Sequence, residues 1–332
     1  MDYIEIKGYK SIKEAKVEIA PINILIGANG SGKSNFISFF DFLNKLYNRN
    51  LAEYIALKGG EDKILFRGRK ITDTLSFHIE FKNEKNGYSA ELKSGDDGFV
   101  FIKENLIFQN NEWDIGNLEK EARIKNSPIF RAPYILQYLN GLRKYHFHDT
   151  GSNSPFTKYS NTETDINYFY NDGMNIAAFM YNIHETNKIV YNRIINNIQS
   201  VAPYFSDFYF APNSENNLKL QWRDKFSDVI YGVNDLSDGT LRFIALSILF
   251  LQPHLPDTII IDEPELGLHP FAIAKLSGMI KSASKKGTQV IVATQSADLI
   301  SHFKPEDIIT VDQIDGQTQF KRQSKENLQI WL

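Results

Sequence analysis

The sequence predicts an α/β fold, a mixed sheet covered by helices with an antiparallel N-terminal lobe. Apolar and polar residues alternate near the N-terminus, as they do in half-buried antiparallel strands. A continuous apolar run, Ile22–Ile26, then leads through glycines into a helix, which is typical of a buried central strand. From Leu236 onward, helical and apolar strand patterns alternate, which favours parallel strands joined by helices.

The N-terminal part of the chain is predicted to form strands on both sides of one helix. That helix, Ser34–Tyr47, carries aromatic and leucine side chains at helical spacing along one side. The last two strands are expected to form a hairpin around Asn86-Gly87, because this dipeptide suits tight turns. The predicted strands are Tyr3–Ile6, Ala15–Ile19, Ile22–Ile26, Thr74–Phe81 and Tyr88–Leu92.

The middle of the chain has a different composition. Asparagine occurs 29 times in the sequence, and 20 of these residues lie between Asn105 and Asn234. Gly151–Thr164 is rich in Ser, Thr, Asn and Gly and is predicted to be a loop. We interpret residues 105–235 as an inserted, mainly helical arm that separates residues 1–104 from 236–332 of one domain. The helices predicted in the arm are Phe130–Leu142, Gly173–His184 and Lys188–Ser200.

The C-terminal part completes the alternating pattern. Its closing strands are predicted to pair around Asp315-Gly316, and Asn327–Leu332 resembles a helix that is cut short. Helices are predicted at Thr240–Leu251, Phe271–Lys286 and Ser296–Phe303, and strands at Thr258–Ile261, Gln289–Ala293, Asp307–Asp312 and Gln317–Arg322.

Composition excludes several classes of protein. The net charge of −3 argues against a protein built mainly as a polycation for nucleic acid or membranes, although it leaves room for a local basic patch. With no cysteine, the chain has no disulfide, no thiolate metal site and no cysteine nucleophile. No apolar run approaches the ~20 residues of a membrane-spanning helix. We therefore expect a soluble cytoplasmic protein without a membrane partner.

The first chemical motif fits the pattern G-x-x-x-x-G-K-[ST] between a buried strand and a helix. Its glycines let the backbone turn its N–H groups toward phosphate oxygens, and the helix N-terminus favours anions. The lysine is predicted to reach the β- and γ-phosphates of ATP, and the final serine hydroxyl to ligate Mg²⁺. The motif consists of Gly27, Ala28, Asn29, Gly30, Ser31, Gly32, Lys33 and Ser34.

Two further motifs lie in the C-terminal part. The apolar strand ending at Asp262 is followed by Glu263, so we predict that Asp262 holds Mg²⁺ and Glu263 polarises the attacking water. Alone, such an acidic strand end would serve equally well to start a helix at Pro264. Ser237, Asp238 and Gly239 open a helix, where they cap it and offer phosphate-binding amides.

The order and spacing of these motifs resemble those of ABC-type ATPases. Asp262 follows Lys33 by 229 residues but Gly239 by only 23, and Gln295 lies 33 residues beyond Asp262. Within that class the chain resembles the SMC/RecF/OLD branch, and especially stand-alone bacterial predicted AAA-family ATPases. The residues that carry the resemblance are Tyr3–Ser11, Gly27–Ser34 with Asn35, Leu236–Arg242, Asp262–Pro270 and Thr294–Ser296.

The resemblance implies a mechanism and a set of site residues. ATP bound by the Gly27–Asn35 loop of one subunit would be closed over by Ser237, Asp238 and Gly239 of a second copy, giving a head-to-tail homodimer. Glu263 would be the catalytic base, and Lys33 and Gln295 would act with it. The loop Glu265–Pro270 would cross the dimer interface and link the two sites. Hydrolysis would open the dimer, so that the nucleotide state becomes a change of shape.

Some positions depart from the family pattern. Gln295 stands where a histidine is common, and because glutamine does not take up a proton near neutral pH, we expect slow turnover. No glutamine lies between Ser11 and Phe108 to serve as the family's Q-loop residue. Arg67 or Arg69 could take a nearby role, but we favour a solvated basic turn.

Two weaker patterns have structural alternatives. His146 and His148 could share one face of a strand and bind a metal, although no third ligand is evident. The aromatic residues between Tyr134 and Tyr209 could stack on bases, but their spacing more often indicates a core.

The resemblance leaves two functions open. One is an ATP-driven switch that controls a separate effector such as a TOPRIM-like nuclease, in phage defence or DNA maintenance, since the chain ends too soon after Asp262 to include a nuclease domain. The other is a RecF-like clamp that binds DNA directly and has no effector. A transporter subunit is disfavoured by Leu236–Thr240, by Gln295 and by the large Asn-rich arm.

Overall fold

In a computed structural model, residues 1–83, 85–109, 111–116 and 118–324 are described. The chain divides into two compact units. The first comprises Met1–Lys144, Ile291–Gln295 and the described residues from Lys304 onward; the second comprises Tyr145–Val290 and Ser296–Phe303. Asn327–Leu332, predicted to begin a helix, lie outside the described residues.

Groups of strands are separated by one or two helices along the described chain. They are β1 (Tyr3–Tyr9), β2 (Ile12–Glu18), β3 (Ile22–Ile26), β4 (Thr74–Phe81), β5 (Asn86–Gly95), β6 (Gly98–Phe108), β7 (Asn111–Asp114), β8 (Leu142–Tyr145), β9 (Ser160–Asn161), β10 (Phe205–Phe208), β11 (Asn217–Leu218), β12 (Gln221–Asp224), β13 (Ile230–Gly232), β14 (Thr258–Asp262), β15 (Gln289–Thr294), β16 (Ile308–Ile314) and β17 (Gln317–Arg322). The α-helices are α1 (Lys33–Tyr47), α2 (Leu51–Leu57), α3 (Ala132–Asn140), α4 (Ile176–Thr186), α5 (Lys188–Val201), α6 (Asp238–Leu251), α7 (Pro270–Lys285) and α8 (Ala297–Ser301).

An antiparallel sheet forms one layer of the first unit. Its six strands have the order β2-β1-β4-β5-β6-β7, and every neighbouring pair is antiparallel. Ile4 and Ile6 of β1 pair with Ile79 and Phe77 of β4, so one face of the sheet is continuously apolar. This layer confirms the antiparallel N-terminal lobe that alternation predicted.

Strand β3, which leads into the glycine-rich loop, lies in a second sheet of the same unit. Within this unit the strand order is β17-β16-β3-β15; β16 runs parallel to β3, and β17 returns antiparallel to β16. Helix α1 follows β3 and buries an aromatic face. Phe39 packs against Tyr9 and Phe77, and Phe36 packs against Phe320 of β17. The aromatic stripe of α1 therefore fixes the helix that follows the glycine-rich loop.

The second unit consists of helices with small sheets. Strands β10, β12 and β13 form an antiparallel sheet, and β9 pairs with β11. Helix α6 packs against α5 and α7 and is buried over most of its length, which explains its almost unbroken apolar sequence. Strand β14 is also apolar until Asp262, its last residue.

Most predicted elements occur, with small shifts at their ends. The predicted turn at Asn86-Gly87 is wrong: Asn86 already pairs with Phe81, and the chain reverses before it. The helix predicted at Phe130–Leu142 is shorter because β8 begins at Leu142. The predicted arm begins at residue 105, which lies inside strand β6. The bounds of the arm remain a prediction from the sequence. Within the described residues, no helix has the length and apolar character needed to cross a membrane.

Candidate functional site

The glycine-rich loop of the first unit curls around the side chain of Lys33. The loop leaves β3 at Gly27 and enters α1 at Lys33. The ammonium of Lys33, which is buried, donates hydrogen bonds to the carbonyl oxygens of Gly27 at 2.6 Å and Ala28 at 3.0 Å. Because those carbonyls turn inward to the lysine, the cationic group is held over the loop where anions are favoured.

Two loop glycines are required by close approaches within the same unit. A Cβ on Gly27 would lie 2.0 Å from the carbonyl oxygen of Val311. Gly32 has a φ of 109°, and its Cβ would lie 2.0 Å from Oγ1 of Thr318. By contrast, Gly30 has open space around it and needs glycine only for its φ of 78°. The motif glycines therefore let strands β16 and β17 reach the loop.

Ser34 and Asn35 point to different surroundings. Ser34 is exposed at the first turn of α1, where its hydroxyl is accessible to a ligand. Asn35 instead donates from Nδ2 to the hydroxyl of Ser11 at 2.7 Å. Ser11 belongs to the turn between β1 and β2, so the amide ties the helix start to the antiparallel sheet.

In the second unit, Asp262 and Glu263 occupy the carboxyl end of β14. His148 donates from Nε2 to the backbone oxygen of Asp262 at 2.8 Å, since a carbonyl can only accept. Glu263 has a φ of 41°, a left-handed backbone that costs a non-glycine residue of order 1–2 kcal/mol. Pro264, the next residue, disfavours the right-handed helical conformation at Glu263.

The start of α6 is bound to the loop after β14. Ser237 caps the helix by accepting from the amide of Thr240 at 3.2 Å. Gly239 is packed so tightly that a Cβ would lie 2.3 Å from the carbonyl oxygen of Gly267. Within this unit the Ser237–Gly239 turn and the Glu265–Pro270 loop therefore form one packed surface.

Arg242 and Asp238 tie this surface to residues of the predicted arm. The Arg242 guanidinium donates to the backbone oxygens of Leu266 and His148, each at 2.9 Å, and to that of Phe147 at 3.3 Å. The hydroxyl of Thr150 donates to the Asp238 carboxylate at 2.8 Å. The segment Phe147–Thr150 thus contacts both the helix start and the end of β14.

The histidine pair that the sequence offered as a metal site consists of His148, in this segment, and His146, directly before it. The rings of His146 and His148 lie 4.5 Å apart, and His148 is engaged with Asp262. No cluster of three or more His, Asp or Glu side chains suited to a metal occurs in the described part of the chain. Of the aromatic residues, Phe147, Phe156 and Phe169 are buried together, whereas Tyr134, Tyr159 and Tyr168 are exposed.

The basic turn after α2 lines a cavity in the first unit. The cavity has a volume of about 570 Å³, and its only acidic lining residue is Asp62, which pairs with Arg69. Arg67 donates to the backbone oxygen of Asp315 at 2.6 Å. Burial, reinforced by Lys58 and Lys144, lowers the pKa of Lys10 to about 8. The cavity is lined by Lys10, Asp62, Lys63, Leu65, Arg67, Gly68, Arg69 and Lys70.

The predicted site residues fall into two sets. The first unit contains Gly27–Asn35 and the exposed Gln295 at the end of β15, and the second contains Ser237–Gly239, Asp262 and Glu263. Sequence reasoning missed Thr318 and the contact of His148 with Asp262. His148 was already singled out in the sequence as a member of the histidine pair. Thr318 was not, because it lies in a strand whose apolar and polar residues alternate in the ordinary way.

Comparison with known proteins gives one family and one curated relative. The model of a family described as "AAA domain, putative AbiEii toxin, Type IV TA system" matches residues 22–301. "Energy-coupling factor transporter ATP-binding protein EcfA" of Methanocaldococcus jannaschii is 35% identical over 66 residues, which is 20% of this chain. The match spans only 23% of that relative's length.

Solved structures of SMC heads share the fold over almost the whole chain. An SmcHead bound to the C-winged helix domain of ScpA has a TM-score of 0.67 at 19% identity and covers 99% of both chains. An Smc head with an extended coiled coil, bound to a ScpA domain from Pyrococcus furiosus, has a TM-score of 0.64 at 16% identity, covering 99% of this chain and 98% of that one. The SMC head of Thermotoga maritima has 0.51 at 15% identity, with 97% and 98% covered. This likeness confirms the fold class predicted from the sequence.

Proposed function

Because the chain belongs to this AAA-domain family and is an ATPase of the ABC type, we propose that it is a magnesium-dependent, ATP-driven dimerisation switch that controls a separate effector protein. The observation that carries the proposal is the loop around Lys33, whose ammonium lies 2.6 Å from the carbonyl oxygen of Gly27. A buried lysine held inside a glycine-rich turn at a helix N-terminus is suited to bind phosphate.

In this proposal the loop and α1 bind the triphosphate of ATP. The backbone amides at Gly30–Ser34 donate to phosphate oxygens, and the helix dipole of α1 adds a favourable field. The Lys33 ammonium binds the β- and γ-phosphates.

Ser34 and Asp262 are the proposed magnesium ligands. A hydroxyl and a carboxylate are hard oxygen donors, the type that Mg²⁺ prefers, and phosphate oxygens and waters would complete the shell. When bound, the ion would neutralise charge on the β- and γ-phosphates. The hydrogen bond from His148 to the backbone of Asp262 holds the end of β14 that carries the carboxylate.

Glu263 and Gln295 are the proposed groups around the attacking water. Glu263, whose backbone φ is 41°, accepts the proton of that water. Gln295 orients the water or the γ-phosphate through hydrogen bonds without taking a proton. With no histidine in this role, we propose a slow ATPase.

Dimerisation is proposed to complete the site. Ser237, Asp238 and Gly239 of one copy would cover the nucleotide of the other, donating from the N-terminus of α6. The exposed side chains of Leu266 and Phe271, in and beside the loop after β14, are apolar groups available to such an interface. Hydrolysis would then weaken the contact and return the two copies to monomers.

A separate protein is proposed as the effector of this switch. The family description includes a toxin of a type IV TA system, and two of the similar SMC heads are bound to ScpA. Control of a nuclease in phage defence or DNA maintenance is the specific form that we propose. Co-purification of the tagged, full-length chain with a nuclease, dependent on ATP, would test it; a stable partner of another class would contradict it.

The first experiment tests nucleotide binding. Lys33→Ala should weaken ATP binding at least about tenfold and abolish hydrolysis, because the main cationic phosphate ligand is lost. Lys45→Ala, an exposed lysine of the same helix, is the matched control and should behave as the wild type. Equal ATP affinity in all three proteins would reject the proposal.

The second experiment tests dimerisation. Glu263→Gln should bind ATP but hydrolyse it at least about a hundredfold more slowly, because the proposed base is lost. With ATP and magnesium it should elute as a dimer in size-exclusion chromatography. The double variant with Lys33→Ala should remain a monomer under the same conditions. A monomeric Glu263→Gln that demonstrably retains ATP would contradict the head-to-tail model.

The basic cavity favours a second candidate function, direct binding of nucleic acid. Lys10, Lys63, Arg67 and Lys70 form no ion pair with the residues that the structure describes, although the chain as a whole is acidic. Four such cations around one cavity attract a phosphate backbone and release its counterions.

Charge reversal tests this candidate. Lys63→Glu with Lys70→Glu should lower the affinity for duplex or single-stranded DNA and reduce the slope of log affinity against log salt by about 0.9 per duplex phosphate contact. Lys285→Glu with Lys286→Glu in the second unit changes the net charge equally and serves as the control. Equal loss in both pairs would indicate a general charge effect and no site at the cavity.

A further inference from the structure

We propose that Thr318 is a positioning residue for the ATP-binding loop, and this inference rests on the proposed ATPase function. Thr318 lies on β17, near the other end of the sequence, and is only 1% exposed. Its hydroxyl donates to the backbone oxygen of Ser31 at 2.9 Å, and no motif includes it. The residue would act on ATP only through the loop that it holds.

The hydrogen bonds around Thr318 run in one direction. A carbonyl only accepts, so the single proton of the Thr318 hydroxyl goes to Ser31. Oγ1 of Thr318 must then accept from the hydroxyl of Ser11, 2.7 Å away. The Ser11 oxygen in turn accepts from Nδ2 of Asn35 at 2.7 Å. This chain of hydrogen bonds therefore starts on helix α1, passes through the β1–β2 turn and strand β17, and ends on the loop.

This chain fixes the orientation of one peptide group of the loop. In a planar trans peptide, the carbonyl of Ser31 and the N–H of Gly32 point in opposite directions. With the Ser31 oxygen held by Thr318, the Gly32 N–H is directed away from β17. Gly32 lies in the phosphate-binding motif, so the N–H that Thr318 orients is one that the proposed function uses.

The position of Thr318 is itself fixed by the backbone. Its amide donates to the backbone oxygen of Ser11 at 2.8 Å, and it pairs with Gln313 across the β16–β17 hairpin. The hydroxyl lies so close to the loop that only glycine fits at position 32, where a Cβ would be 2.0 Å away. Thr318 thus lies on a paired strand, close to the loop, and its hydroxyl is directed at a loop carbonyl. Together these features distinguish a positioning residue from one that only packs.

The experiment compares substitutions that keep or remove the hydroxyl. Thr318→Val keeps the shape but leaves the Ser11 hydroxyl and the Ser31 carbonyl without their partner, and should weaken ATP binding about tenfold. Thr318→Ser keeps the hydroxyl and should bind ATP within about twofold of the wild type. Thr288→Val in the second unit is the matched control, since Thr288 is also buried and donates to a backbone oxygen, that of Pro256 at 3.0 Å.

The measurements separate positioning from a loss of folding. ATP affinity should change only in Thr318→Val, whereas the melting temperature without nucleotide should fall in Thr318→Val and Thr288→Val alike. Equal ATP affinity of Thr318→Val and the wild type would overturn the inference. If Thr318→Val does not fold, Ser11→Ala decides: weaker ATP binding supports the chain of hydrogen bonds, and unchanged binding overturns it.

The failure of this inference differs from a failure of the proposed function. If the wild type does not bind ATP and Lys33→Ala changes nothing, the ATPase proposal has failed. If the wild type binds ATP, Lys33→Ala does not, and Thr318→Val binds as the wild type does, only the role of Thr318 has failed.

Discussion

Glu263 combines a proposed chemical role with an unusual backbone angle. Its φ of 41° lies in the left-handed region, where glycine is preferred, yet the residue is a glutamate. Strain of this kind persists where the surrounding structure holds the chain and is common at functional sites. Here Pro264 follows directly, and His148 holds the preceding residue, Asp262.

The strain predicts an inverted order of stability. The free energy of unfolding of Glu263→Gly should be about 1 kcal/mol higher than that of Glu263→Ala, because alanine is strained at positive φ and glycine is not. At an ordinary position the alanine variant is the more stable of the two. Both variants lack the carboxylate, so urea unfolding of the pair isolates the backbone effect. A more stable alanine variant would contradict this account of the φ angle.

Residues were predictable where their chemistry is local in the sequence. Gly27–Ser34 follow one another, so spacing alone identified the loop, and Asp262 was identified by the apolar strand before it. Thr318 was not predictable, because its partner Ser31 is 287 residues away and the contact depends on the register of a hairpin. The link from His148 to Asp262 likewise depends on tertiary packing.

The first turn of helix α6 contains a tightly packed glycine. Gly239 lies against the carbonyl of Gly267, so the first turn of α6 and the loop after β14 share one surface without side chains between them. Arg242, one turn later, donates to Leu266 of the same loop at 2.9 Å. A displacement of either element must therefore displace the other, which suits a loop proposed to cross the dimer interface.

Two glycine-to-alanine substitutions should have opposite effects on stability. Gly239→Ala should lower the free energy of unfolding by about 1–3 kcal/mol, because its Cβ collides with a backbone oxygen. Gly278→Ala in α7 should raise it by up to about 1 kcal/mol, since a Cβ there meets nothing within 4 Å and alanine favours a helix. Urea unfolding measures both. A neutral Gly239→Ala would mean that the α6 start is not packed in this way.

Elements with strong periodicity were predictable, and short or shifted ones were not. Helix α1 has a sustained apolar face and strands β3 and β14 have nearly unbroken apolar runs, and their predicted bounds agree within one residue. The prediction of a turn at Asn86-Gly87 was wrong because Asn86 pairs with Phe81, so that both residues of the dipeptide already belong to strand β5. Strands such as β9 and β11 have two residues each, too few to show alternation.

The residues that the proposed function requires lie far apart in the chain. Sequence order predicted this, because the motifs lie at the two ends with the Asn-rich region between them. The net charge of −3 agrees with a chain whose main anionic ligand is held by one loop, while the basic cavity concentrates positive charge locally. We therefore expect ATP binding to require the whole folded protein.

A second copy that closes on ATP makes thermal stability depend on protein concentration. At an ATP concentration about a hundred times the Kd, binding alone should add about 2.7 kcal/mol to the free energy of unfolding. If ATP also drives dimerisation, the Tm of Glu263→Gln should rise further as the protein is concentrated, because association favours the folded state. The same variant without nucleotide, and the double variant with Lys33→Ala, should show a constant Tm. A Tm of the ATP-bound variant that is independent of concentration over about a hundredfold range would leave nucleotide binding intact and exclude the coupled dimer.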